Sequence, residues 1–250
     1  MPLLRRARGL AAREFGAIGL GSGVTDVYQP IERELGLTRR VLEALVPAAL
    51  PIVILTKSDL ILRDFDILAR FPRALVMVTV TTTDPEKARI LEPSASPPDQ
   101  RLEVIRRARE AGFRTGVMAM PLCPGITLTA ENTASLFAAA RDAGAEFIYA
   151  GGVTLRPGKQ KDLFITEVVR AHYGDLEPLY TDLFSENRQS GMPRATDQMR
   201  SARAIHESLA ALGENELIPH SIYRDILCAP DALFVLFCHM QSLFATRGVD

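Results

Sequence analysis

At 250 residues, with 47% hydrophobic and 24% charged side chains, the chain has the composition of a globular protein able to bury a substantial core. Its 29 basic and 30 acidic residues leave a net charge of −1, which excludes an overall basic footprint for nucleic acid. The three cysteines, Cys123, Cys228 and Cys238, are too scattered for a disulfide framework and suit a reducing cytoplasm, and no apolar run is long enough to span a membrane.

Residues 3–13 suit an amphipathic helix, with Leu3, Leu4, Ala7, Leu10 and Ala11 on one side and arginines on the other. The lack of a long apolar stretch and of a cleavage site argues against a signal peptide. Residues 15–20 read as a short apolar strand. Beyond it, Gly21 and Gly23 let the backbone turn sharply or approach a ligand. Ser22, Thr25, Asp26, Tyr28, Gln29 and Glu32 then place polar groups past a strand's carboxyl end, where parallel α/β folds bind ligands. The same pattern also describes a plain strand-to-helix loop with Thr25 or Asp26 as N-cap. Thr38 can cap a helix through Val41, Leu42 and Leu45, which Pro47 and Pro51 end.

Residues 51–55 are almost wholly apolar, as a parallel strand buried on both faces requires. The pattern then predicts a helix over 59–71, a strand over 74–81, and a helix start at Thr83-Asp84-Pro85-Glu86. A Pro/Ser-rich loop at 93–98 leads to a helix over 99–111 that Gly112 stops. A strand over 113–120, a helix over 129–143 closed by Gly144, and a strand over 145–150 follow. This alternation argues for a right-handed parallel βα array of five strands. After Arg156 the pattern changes to helices at 159–173 and 196–212, with apolar segments at 218–223 and 232–244. The expected organisation is a βα unit over 1–155 and a helical extension over 156–250 packed across it, without an internal repeat.

Several strand ends carry groups fit for chemistry. Lys57, in TKSD, reads as a Schiff-base lysine if a pocket makes it nucleophilic, or as a cation paired with Glu92 or Asp26. Thr79, Thr81, Thr82 and Thr83 cluster at the next strand end, where strand propensity alone also explains threonine. Glu92, fixed by Pro93, can accept from an amine or ribose, or close a helix by pairing with Arg101 or Arg89. Met120-Pro121-Leu122-Cys123-Pro124-Gly125 is a rigid apolar turn in which Cys123 reads as a packed thiol, with no histidine beside it in sequence. Cys228 and Cys238-His239 match no zinc or cluster spacing and read as core residues.

TDVYQPIE, LTRRVLEAL, ILTKSDLILRD, LEPSASPPDQRLEVIRRAREAG and MPLCPGIT occur in this order. Together they resemble the spore-photoproduct-lyase-like branch of the radical SAM family, from about residue 4 to about residue 155. The resemblance implies an α/β fold, a partial (β/α)6 TIM-type barrel with its first strand missing, followed by the mainly helical tail. It implies S-adenosylmethionine (SAM) as cofactor, cleaved reductively on a [4Fe–4S] cluster to a 5′-deoxyadenosyl radical. On this view Ser22, Thr25 and Asp26 approach the SAM amino acid moiety. Lys57, Ser58, Thr82 and Glu92 line the polar side, and Pro121, Pro124 and Gly125 the adenine side.

The family carries a C-x-x-x-C-x-x-C loop ahead of this stretch, and the chain begins after its expected place. The resemblance therefore implies a chain without its own cluster ligands and with no metal site. A nucleic-acid substrate is implied only by likeness to the named lyase. Two alternatives stay open: a truncated or inactive protein that binds SAM or a partner, and a Schiff-base lyase using Lys57. The strand at 15–20 is expected at an open sheet edge, which invites self-association or cover by the tail.

Overall fold

A computed structural model describes residues 16–21, 25–214 and 218–227. The expected helix over 3–13, the start of the first strand at Phe15, Ser22, Cys228, Cys238 and the segment 232–244 lie outside the described residues.

Five parallel strands form one sheet in sequential order. They are β1 (Ile18–Leu20), β2 (Ile52–Thr56), β3 (Ala74–Thr79), β4 (Arg114–Leu122) and β5 (Ile148–Gly152). Ile18 pairs with Ile52 and Ile52 with Ala74, so each strand advances the sheet by one position. The order follows from the sequence: each apolar strand feeds a helical segment that returns the chain to the same end of the sheet. Among the described residues β1 lies at one edge and β5 at the other.

The helical layer comprises α1 (Glu32–Leu35), α2 (Leu37–Leu45), α3 (Phe65–Leu68), α4 (Pro85–Leu91), α5 (Pro98–Glu110) and α6 (Ala130–Asp142). Ile52, Ile54, Val76, Val78, Val117 and Ala119 join Leu42, Ile61, Ile105, Leu136 and Phe137 in the main core between sheet and helices. The other face of the sheet meets the C-terminal part. There Val53, Leu75 and Met77 pack with Phe147, Ile222 and Ile226. The extension consists of α7 (Lys159–Leu163), a π-helical run (Phe164–Arg170), α8 (Glu177–Leu183), α9 (Ala195–Ala210) and α10 (His220–Leu227). No helix among the described residues is long and apolar enough to cross a membrane.

Three expectations change in the structure. In place of one helix over 59–71 there is a 3₁₀ run, Asp59–Asp64, followed by the short α3. The cause is tertiary: Asp64 is fully buried and draws its carboxylate to Arg39, Arg63 and Tyr28. Thr38 does not cap α2. Its hydroxyl bonds the Val27 carbonyl, and the Glu32 carboxylate accepts from the Leu37 and Thr38 amides at 2.9 Å each. The strand expected to stop at Met120 runs on to Leu122, with a register shift against β5 between Ala119 and Leu122. Gly112 and Gly144 stop α5 and α6 as expected, with φ of 80° and 92° that a side chain would resist.

Candidate functional site

The loops that leave the carboxyl ends of β2, β3, β4 and β5 surround a hollow of about 480 Å³. Lys57 follows β2, Thr81 follows β3, Pro121 and Cys123 close β4, and Thr154 follows β5. A second hollow of about 270 Å³, lined by Asp26, Tyr28, Gln29 and Ser58, adjoins it. Both are lined by Lys57, Leu91, Glu92 and Pro93, so the Lys57–Glu92 pair is the wall between them. A separate hollow of about 450 Å³ between β5 and α9 has no charged residue in its lining, so it has less to hold a polar ligand with.

Glu92 is the C-cap of α4, where the backbone leaves the helix at φ −139° and ψ 58°. Its carboxylate is 7% exposed and lies between two cations. Arg101 donates to Oε2 at 2.7 Å. The Lys57 ammonium stands 2.8 Å from Oε1 and closes an ion pair with it. Glu92 is thus held between two cations, while Oγ1 of Thr81, a residue 2% exposed that also lines the hollow, is buried without a hydrogen-bond partner. Such an atom is unusual, because buried polar atoms are nearly always paired.

Asp26 is committed to the fold. Oδ1 accepts from the Thr56 hydroxyl at 2.7 Å and the Tyr28 amide at 2.8 Å, and Oδ2 from the Lys57 amide at 2.6 Å. It therefore bolts the loop after β1 to the end of β2. Tyr28 turns inward and donates to Asp64 at 3.2 Å. Burial and the neighbouring Asp64 carboxylate push its phenol far above the ordinary range. Ser58 lines the smaller hollow, and its hydroxyl accepts from the Leu60 amide.

The expected set is therefore brought together in part. Lys57, Ser58, Glu92, Asp26 and Pro121 meet at the two hollows, while Thr25, exposed, lines neither. Thr82 is fully buried and donates to Asn132 at 2.5 Å; its neighbour Thr81 faces the cavity. One residue of offset decides this: the chain bends at Thr81, past the end of β3, and Asn132 takes the Thr82 hydroxyl. Pro124 and Gly125 turn away: the Pro124 carbonyl accepts from Tyr180, and Gly125 packs against Leu176. Ser22 lies outside the described residues. Sequence reading missed Gln160, Phe164 and Glu167, which reach the larger hollow from the extension. No spacing in the chain signals that contact.

Cys123 is buried, and burial pushes its thiol up to about 12. Among the described residues no three His, Cys, Asp or Glu side chains converge as a metal site. The described residues therefore offer no ligand set for an iron–sulfur cluster.

The family model described as the Radical SAM superfamily matches residues 3–137, which takes in β1 to β4 and the site around Lys57 and Glu92. The chain belongs to the radical SAM superfamily. The superfamily implies SAM and a [4Fe–4S] cluster as its cofactors. The residues around the Lys57–Glu92 wall fit the first of these: a cation and a carboxylate side by side suit the charged ends of an amino acid moiety. This radical SAM chain is 32% identical over 170 residues to the uncharacterized protein Rv2578c of Mycobacterium tuberculosis, covering 67% of the chain and 49% of the relative. It is 25% identical over 192 residues to a radical SAM Nalpha-GlyT isomerase of Pseudomonas phage M6, covering 76% of the chain and 39% of the relative. The chain thus spans about half or less of the length of these relatives. Its fold is like that of a spore photoproduct lyase mutant with bound AdoMet and dinucleoside spore photoproduct. The TM-score is 0.58 at 14% identity, over 83% of this chain and 61% of that one. That likeness is of fold: a partial α/β barrel of parallel strands.

Proposed function

We propose that the hollow at the strand ends is a SAM-binding site of a radical SAM enzyme core. The observation that carries the reading is the Lys57–Glu92 ion pair in the wall of a cavity at the carboxyl ends of the strands. Lys57 would hold the carboxylate of the amino acid moiety, and Glu92 Oε1 its ammonium. Thr81 would accept from a ribose hydroxyl. Pro121, with Val153 and Leu155 across the hollow, supplies apolar surface for adenine. Asp26 serves this site by holding the Lys57 backbone rather than by touching the ligand. The smaller hollow gives Ser58 and Gln29 a place at the mouth.

With a reduced cluster beside it, SAM would supply one-electron cleavage of its sulfonium carbon–sulfur bond; the described residues form no ligand set for that cluster, so this chain's part would be to hold SAM. The chain's own residues orient the amino acid moiety and shield the nucleoside from water. The extension contributes Gln160, Phe164 and Glu167 to the same hollow, and in this reading it would stand on the substrate side. The spore photoproduct lyase of similar fold binds a dinucleoside, so nucleobase compounds are the first class to screen as substrates.

The Schiff-base alternative draws less support, because the Lys57 amine faces a carboxylate at 2.8 Å. Calorimetric titration with SAM tests the main reading. Wild-type protein should bind it, and Lys57→Ala and Glu92→Gln should each weaken binding by about tenfold or more, the effect of losing a charge-assisted contact. Wild-type protein that takes up no SAM, yet is trapped by borohydride with a carbonyl compound at Lys57, would reverse the order of the two readings.

A further inference from the structure

Arg101 is 1% exposed and sits in the second turn of α5, on the far side of Glu92 from the cavity. Its guanidinium donates to Glu92 Oε2 at 2.7 Å and to the Thr79 carbonyl, the last residue of β3, at 2.6 Å. Its Nε has no partner. A buried cation is costly unless it is paired, and an apolar side chain of similar length would pack as well between helix and sheet. Core packing alone therefore does not account for an arginine at this position.

We propose that Arg101 is a positioning residue for the pocket: it holds Glu92 from behind, so that the Glu92 carboxylate and the Lys57 ammonium paired with it keep their places in the cavity wall for a bound amino acid moiety. This rests on the reading of the hollow as a SAM site. Glu92 needs such an anchor because it lies at the C-cap of α4, where the helix no longer constrains its direction. It also lies next to Lys57, which is 39% exposed and can draw the carboxylate outward. With Oε2 tied to Arg101, and Arg101 tied to the end of β3, the carboxylate keeps one orientation relative to Thr81, two residues past that strand end. Without Arg101, Glu92 swings together with Lys57, and the charge pair no longer meets the amino acid moiety in one fixed place.

The test uses two thioethers, S-adenosylhomocysteine and 5′-methylthioadenosine. They share the nucleoside and differ in the amino acid tail. Calorimetry on the wild type should show S-adenosylhomocysteine binding about tenfold or more tighter. In Arg101→Met that ratio should fall to about one while 5′-methylthioadenosine binds as before, because the nucleoside contacts are untouched. Arg101→Lys keeps the charge and should restore part of the ratio; it also serves if Arg101→Met fails to fold. A variant that keeps the wild-type ratio, or that loses both ligands equally, overturns the positioning role and leaves the pocket reading in place. Wild-type protein that binds neither thioether, or binds both equally, overturns the pocket reading, and the role of Arg101 with it.

Discussion

Asp64 has no exposed surface and accepts from three residues: Tyr28 at 3.2 Å, Arg39 at 3.0 Å, and Arg63 at 2.8 and 3.0 Å. Arg63 also reaches the Glu32 carboxylate at 3.1 Å. The carboxylate thus joins the loop after β1, α2 and the 3₁₀ run in one polar knot. Asp64→Ala should destabilise the protein by about 3 kcal/mol, the low end for breaking a buried pair, because Arg63 keeps part of its surface in water. The midpoint of urea unfolding reads it, and an unchanged midpoint would deny the knot any weight. Cys123 makes a prediction of opposite character. Its folded thiol titrates at about 12, against about 8.5 in an unfolded chain. The unfolded state therefore loses its proton first, so stability is full below about pH 8.5 and falls as pH rises toward 12. Burial also pushes Tyr28 and Tyr180 upward, which adds to the same alkaline loss. Cys123→Ala should flatten the pH dependence of stability between pH 9 and 11, and native Cys123 should resist alkylation at neutral pH. Rapid labelling of Cys123 in the folded protein would contradict this.

At the scale of elements, the close approach of β4 to the segment before β5 depends on Gly116. A Cβ there would stand 2.2 Å from the Phe147 ring, which fills the space across the inner face. Gly116→Ala should cost about 1–3 kcal/mol as overpacking, and Phe147→Leu in the same background should recover part of it. Equal losses in the single and double variants would show that the ring is not the obstacle. Helix α4 carries Glu92 at its end, and its start is set by Asp84, whose carboxylate accepts from the Glu86 and Lys87 amides. Asp84→Ala should cost about 1 kcal/mol by loss of the cap. Hydrogen exchange should locate that loss in α4, and protection unchanged there would count against it. The π-helical run that presents Phe164, Glu167 and Val168 to the larger hollow is of a kind that recurs at functional sites.

Across the whole molecule, the extension closes the sheet from two sides. Helix α9 lies along β5, where Ile205 and Leu209 enter the main core. Helix α10 crosses the inner face, with Ile222 and Ile226 against Leu75 and Phe147, and Arg114 of β4 pairs with Asp225 and bonds Ser221. The extension and the βα unit should therefore unfold as one. Ile222→Ala should lower global stability by about 2–4 kcal/mol, the usual cost of truncating a buried isoleucine. Hydrogen exchange should show β3, β4 and α10 losing protection together. Loss confined to α10, with β3 unchanged, would instead mean that the extension is docked but independent.

Much of the layout was legible because it rests on local pattern. Five apolar strands alternating with helical segments admit few arrangements other than a sequential parallel sheet, and Gly112, Gly144 and Pro85 mark helix ends through backbone geometry alone. Lys57 and Glu92 could be singled out for the same reason, since each stands just past a recognisable element. What the tertiary structure decided was direction. Asp26 and Tyr28, read as ligand groups, turn into the protein because Thr56, the Lys57 amide and Asp64 wait there. Thr81 rather than Thr82 faces the cavity because Asn132, fifty positions along, claims the Thr82 hydroxyl. The sequence left Arg101 and Arg89 as alternative partners for Glu92, and the packing of α5 on β3 decides for Arg101. Strand and helix periodicity determine where a residue lies along its element. Which way its polar atoms point depends on partners that the chain brings near only by folding.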